Sequence, residues 1–166
     1  MKRRQFVKKA SLTSVGLAIT GTHLACKEES KPIENKTQKG RLPLVIATWH
    51  VEDATKKAWK VLQGGGSALD AVEEGCMVEE ANEKGQSVGK GGLPDRDGNV
   101  TLDACIMDSH GNCGSVVYLK NITHAVSVAR KVMEATPHVM LAGEGAQQFA
   151  VSQGFKRENL LTEASK

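Results

Sequence analysis

The chain has 166 residues, of which 40% are hydrophobic, 25% charged and 4% aromatic, with 17 glycines, 4 prolines and a formal net charge of +3. These proportions exclude collagen-like, disordered and coiled-coil classes and suit one ordinary globular domain. Residues 1–40 hold 9 of the 22 basic and 3 of the 19 acidic residues. The remainder is therefore slightly acidic, 13 against 16. It has no basic stripe with interleaved aromatics, which argues against nucleic acid as a partner.

Residues 1–25 read as an export signal: a cationic start (Lys2, Arg3, Arg4, Lys8, Lys9), a mildly apolar stretch from Ala10 to Ile19, and a small-residue end at Ala25. The stretch is too short for a membrane span. Arg3-Arg4 followed by Gln5-Phe6-Val7-Lys8 resembles the twin-arginine signal of bacterial proteins exported in the folded state. The expected location is the bacterial envelope, either periplasmic or lipid-anchored. Leu24-Ala25-Cys26 resembles the end of a lipoprotein cleavage site, so Cys26 is a candidate lipid anchor, with ordinary cleavage nearby as the other reading. Residues 26–40 are polar and without apolar periodicity, a flexible tether, and the folded domain begins at residue 41. Cys76, Cys105 and Cys113 are an odd set that completes no disulfide framework, and they read as three small buried hydrophobes.

The run Leu42-Pro43-Leu44-Val45-Ile46-Ala47-Thr48 reads as a strand buried on both faces. Residues 52–62 then show helical spacing and stop at Gly64-Gly65-Gly66. Ser67 opens a second helix, with Asp70 completing a short capping box and Leu69, Val72 and Cys76 as the expected buried stripe. Periodicity disappears between Glu79 and Asp97, where Ser87-Val88-Gly89-Lys90-Gly91-Gly92-Leu93-Pro94 is a glycine loop of the kind that carries function on a rigid scaffold. Asn99 to Met107 alternates, Asp108 to Asn112 turns the chain, and Cys113 to Leu119 returns, an antiparallel hairpin with one buried face. Helical spacing resumes at 125–134, stopped by Pro137, and at 145–153, stopped by Gly154.

Taken singly, the motifs carry little chemistry. Gly89-Lys90-Gly91-Gly92 is followed by Leu-Pro, not by the Ser/Thr and helix of a P-loop, and it lacks the spacing of a dinucleotide fingerprint. Cys105, His110 and Cys113 offer soft ligands but no paired Cys-x-x-Cys. There is no Gly-x-Ser-x-Gly elbow and no His-Glu-x-x-His. Residue chemistry alone yields no complete active site and calls for no cofactor or metal.

In combination they are far more specific. Val45-Ile46-Ala47-Thr48-Trp49, Ala58-Trp59-Lys60-Val61-Leu62, Gly65-Gly66-Ser67-Ala68-Leu69-Asp70-Ala71-Val72-Glu73, the glycine loop from Ser87 to Asp95, Gly98 to Ala104 with Ile106-Met107-Asp108, Ser127-Val128-Ala129-Arg130, and Thr136 to Leu141 occur in order and with natural spacing. Together, over residues 42–162, they resemble the glycosylasparaginase family, which includes plant-type asparaginases with isoaspartyl peptidase activity. The resemblance implies an α/β fold, the N-terminal, α-subunit half of an αββα N-terminal-nucleophile sandwich. It implies an amidohydrolase made as one precursor that cuts itself before a Thr. The new N-terminal residue then supplies both the attacking hydroxyl and the base.

No Asp-Thr dipeptide occurs in the chain. The catalytic Thr and the family's C-terminal residues that hold the substrate's α-carboxylate, α-amine and oxyanion are therefore expected in a β-subunit segment beyond Lys166. That segment is the expected partner, in an (αβ)2 assembly around a small-molecule substrate: glycosylated asparagine, asparagine or an isoaspartyl peptide. The family's pattern places two pocket-side positions here, Trp49 lining the substrate pocket and Ser87 beside the nucleophile. Without the resemblance, Trp49 reads as core packing and Ser87 as a loop hydroxyl capping backbone. Three expectations follow: an inactive isolated chain; an uncovered inner sheet face of Val100, Leu102, Ile106 and Val117; and, as the second functional reading, a noncatalytic exported binding lipoprotein built on the half-fold.

Overall fold

The computed structural model describes residues 43–166. The expected export signal and tether, with Cys26, lie outside the described residues. The elements are α1 (Glu52–Gln63), α2 (Ala68–Glu80), β1 (Thr101–Met107), β2 (Cys113–Lys120), α3 (Ala125–Ala135), β3 (Met140–Ala142) and α4 (Gly143–Ser152). Among the described residues no helix is long and apolar enough to cross a membrane.

The expected first strand is not one. Residues 43–50 are irregular, and Leu44 and Ile46 are 75% and 78% exposed. The apolar composition of a buried strand is present, but a strand exists only through its ladder, and no described element pairs with this run.

α1 carries Glu52 and Asp53 in its first turn and Lys60 in its last, each opposing the local end of the helix dipole. α2 begins with the expected capping box: the Asp70 N–H donates to Ser67 Oγ at 3.1 Å and the Ser67 N–H to Asp70 Oδ2 at 3.2 Å. The two helices meet through small residues. Ala54 and Ala58 of α1 and Ala71 and Gly75 of α2 are buried, and a Cβ on Gly75 would come within 3.1 Å of the Ala54 carbonyl. This close approach corrects the expected α2 stripe: Val72 and Cys76 are exposed, and Leu69 packs against the core together with Met77. Periodicity read from bulky residues missed an interface built from small ones.

β1 and β2 form the expected hairpin. Its turn is held by Asp108, whose Oδ1 accepts the N–H groups of His110 at 2.8 Å and Asn112 at 2.9 Å. The sheet order is β1-β2-β3, antiparallel between β1 and β2 and parallel between β2 and β3. The three-residue β3 is too short to leave an alternation signal and was not expected. Register shifts between Leu102 and Ala104, so Val116 and then Leu119 of β2 point inward and are fully buried. Val117, expected on the inner face, lies on the other one.

α3 lies across the inner face. Val128, Ala129 and Val132 are fully buried among Leu102, Ile106, Val116 and Leu119, and α4 adds Ala146 and Ala150 to the same core. Gly114 permits this contact, since a Cβ there would collide with the Ala129 carbonyl. The inner face is therefore covered, against expectation. The uncovered face is the opposite one, presenting Cys105, Met107, Cys113 and Met140. Cys76, Cys105 and Cys113 are all exposed, not buried as expected, because the two strand cysteines fall on this open side.

Candidate functional site

The glycine loop is fixed from two directions. The Lys90 N–H donates to the Glu80 carbonyl at 2.8 Å and the Gly91 N–H to the Leu160 carbonyl at 2.8 Å. Gln86 Nε2 reaches the Ala164 carbonyl at 3.1 Å. Gly89 has a φ of +62°, and a Cβ there would fall on the Glu80 backbone, so only glycine fits. The loop's exit is organised by Asp95, whose carboxylate accepts the N–H groups of Asn99 at 2.8 Å and Asp97 at 3.0 Å. The Asn99 N–H in particular holds that carboxyl below the usual range.

Ser87 sits exposed on this loop. Trp49 is 66% exposed at the end of the irregular segment before α1, so it packs into no core among the described residues. No hydrogen bond joins the two among the described residues. Neither lines the apolar cavity of about 250 Å³ walled by Leu44, Ile46, Ala54, Ala58, Val72 and Cys76. Neither lines the polar cavity of about 460 Å³ bounded by Asp108, Cys113, Glu134 and His138. The Cys76 edge is open to solvent, but the atoms around the sulfur crowd it, and burial followed by the Glu80 charge raises the thiol above its ordinary range. Both effects disfavour its thiolate.

Two polar clusters escaped sequence reasoning. Arg130 of α3 donates through Nη1 to Asp70 at 2.7 Å and Glu73 at 2.6 Å, and through Nε to Glu134 at 2.7 Å, tying α3 to the start of α2. Glu80, only 7% exposed, ends α2. Its Oε1 accepts the Val126 N–H at 2.9 Å in the first turn of α3. Its Oε2 faces His124 Nδ1 at 3.4 Å, close enough for an ion pair but without a hydrogen bond. One signal for this pairing stood in the sequence. The last turn of α2 carries two glutamates and no basic residue, the wrong charge for a helix C-terminus unless a partner waits elsewhere.

The sequence model described as asparaginase matches residues 21–166. This chain belongs to the asparaginase family. Over 164 residues it is 52% identical to the N(4)-(Beta-N-acetylglucosaminyl)-L-asparaginase of Elizabethkingia miricola, covering 98% of this chain and 47% of that protein. The proteins of the same name from Rattus norvegicus and Mus musculus are 51% and 49% identical over 126 residues, covering 75% of this chain and 36% of each. The chain thus spans about half the length, or less, of these relatives. The mixed architecture of four helices and a three-stranded sheet among the described residues suits part of such a fold.

Proposed function

We propose that this chain supplies the N-terminal, α-subunit part of a glycosylasparaginase-type amidohydrolase. The observation that carries the reading is the 52% identity running through 98% of the chain to a relative of that name. The chemistry follows from an N-terminal Thr on a second, β-subunit segment. Its hydroxyl attacks the side-chain amide carbon of asparagine or its glycosylated form while its own α-amine takes the proton. Backbone donors hold the oxyanion, the amine or glycosylamine leaves with a proton, and water cleaves the aspartyl ester to release aspartate. Trp49 walls the substrate pocket and Ser87 stands beside the nucleophile.

The open sheet face supports the αββα arrangement. Exposed Met107 and Met140 present an apolar surface that a second sheet would cover. Two such pairs make the (αβ)2 assembly, and the twin-arginine-like signal, with or without a lipid on Cys26, delivers the folded protein to the bacterial envelope. The test is to assay the purified chain for ammonia from asparagine and aspartate from glycosylasparagine, alone and after co-expression with a β segment that begins with a free Thr. Activity only in the presence of the second segment is expected. Release by the chain alone above a heat-killed control would overturn the reading.

A further inference from the structure

The geometry points to Glu80 as the positioning residue of the Ser87 loop, coupling that loop to the first turn of α3 through a single buried side chain. Its functional meaning rests on the reading of Ser87 given above; the coupling itself does not.

Three contacts converge on Glu80. Its carboxylate takes the Val126 N–H at 2.9 Å, where the N-cap residue His124 offers no side-chain cap of its own. Glu80 therefore caps α3 from another helix, placing a negative charge at the end where the dipole favours it. Its backbone carbonyl takes the Lys90 N–H at 2.8 Å. Gly89 rests against the same peptide with no room for a side chain. At only 7% exposure the carboxylate has no water to replace a lost partner. If the anchor at Val126 is removed, the last turn of α2 is free to shift, and the Lys90 acceptor shifts with it. Ser87 lies two residues from Gly89 on the same loop.

The second carboxylate oxygen has its own neighbour. Oε2 of Glu80 and Nδ1 of His124 are both buried without a hydrogen bond, yet lie 3.4 Å apart. His124 thus faces the second oxygen while Val126 holds the first. An amide could serve Val126 equally but would lose this facing charge.

Amide hydrogen exchange on the full chain tests the coupling in both directions. Glu80→Ala should speed exchange of the Lys90 amide about tenfold, the order expected for one lost hydrogen bond, with the Val116 and Leu119 amides unchanged. Glu80→Gln, which keeps an acceptor for Val126, should stay within about threefold of the parent. Perturbing the other end must act reciprocally, so Gly89→Ala should speed exchange at Val126. A Lys90 rate unmoved in Glu80→Ala, or a uniform rise at every amide, overturns the inference. If Glu80→Ala does not fold, Glu80→Asp, which keeps the charge but shortens the reach to Val126, decides alone, and an unchanged Lys90 rate overturns it. In the two-chain enzyme Glu80→Ala should lower kcat with little change in KM. Exchange coupling without that kinetic effect would count against the role of Ser87 and leave the coupling standing.

Discussion

The carboxylate of Asp103 accepts the backbone N–H of Tyr118 at 2.7 Å, across the hairpin and where β1 and β2 change register. Tyr118 has a φ of +56°, a left-handed conformation that side chains rarely adopt. The irregularity turns Leu119 into the core in place of Tyr118, whose ring instead lies beneath Lys120 Nζ at 4.7 Å. Asp103→Ala should therefore cost about 1 kcal/mol, with Asp103→Asn close to neutral because it retains an acceptor. Tyr118→Gly relieves about 1 kcal/mol of backbone strain and loses a ring–ammonium contact of similar size, so its net effect should be small. Urea unfolding midpoints check all three, and an unaffected Asp103→Ala would mean the bulge forms without its carboxylate.

Arg130 faces three carboxylates. Arg130→Met leaves them facing one another, and the expected loss is about 2 kcal/mol. Arg130→Lys should recover only part of this, because a single ammonium cannot reproduce the fork that serves Asp70, Glu73 and Glu134 together. The deficit should shrink as salt screens the repulsion among the carboxylates. A salt-independent deficit would assign the role of Arg130 to its apolar stem.

The hydrogen bonds from Ser67, and then Arg130, lower Asp70 from the ordinary 3.8 to about 2. A folded-state value below the unfolded one means the unfolded chain binds the extra proton first as pH falls. The contribution of Asp70 to stability is complete above about pH 4 and is lost as pH falls towards 2. Glu134, lowered by its hydrogen bond to Arg130, acts in the same direction. Asp70→Asn should flatten the stability profile across this interval, and Ser67→Ala should lower stability by about 1 kcal/mol at neutral pH through loss of the cap. Parallel acid profiles for the parent and Asp70→Asn would contradict the assignment.

Trp49 and Ser87 separate by kinetics in a two-chain enzyme. If Trp49 walls the substrate pocket as proposed, Trp49→Ala should chiefly raise KM, since an indole N–H only donates and cannot act as a base. If Ser87 stands beside the nucleophile as proposed, Ser87→Ala should lower kcat by up to about tenfold through loss of one hydrogen bond. If neither constant moves in an active complex, the two residues serve only the surface on which they stand.

What was legible in the sequence tracks what is decided locally. The Ser67–Asp70 cap, the Asp108 turn and the stops at Pro137 and Gly154 depend on neighbours within a few residues, and each stands where expected. The failures depend on distant partners. Leu44 and Ile46 have strand composition but no strand beside them. Strict alternation back from Leu119 puts Val117 on the inner face, and the Asp103–Tyr118 irregularity interrupts that alternation. The Ala54–Gly75 approach uses residues too small to register as a stripe. For the site, the glycine loop was visible as a loop, whereas the glutamates ending α2 signal only that a partner is needed, and the partner, Val126, stands 46 residues away.

The bond between Gln86 and Ala164 spans 78 positions, the greatest separation among the side-chain contacts described above. The α1–α2 pair and the β1–β2 hairpin close over short stretches and can form early. The strap from residues 160–164 can settle on the glycine loop only after the sheet and its helices have brought the two ends together, at a chain-entropy cost that local contacts do not bear. During folding, the segment carrying Ser87 should therefore acquire its final shape last.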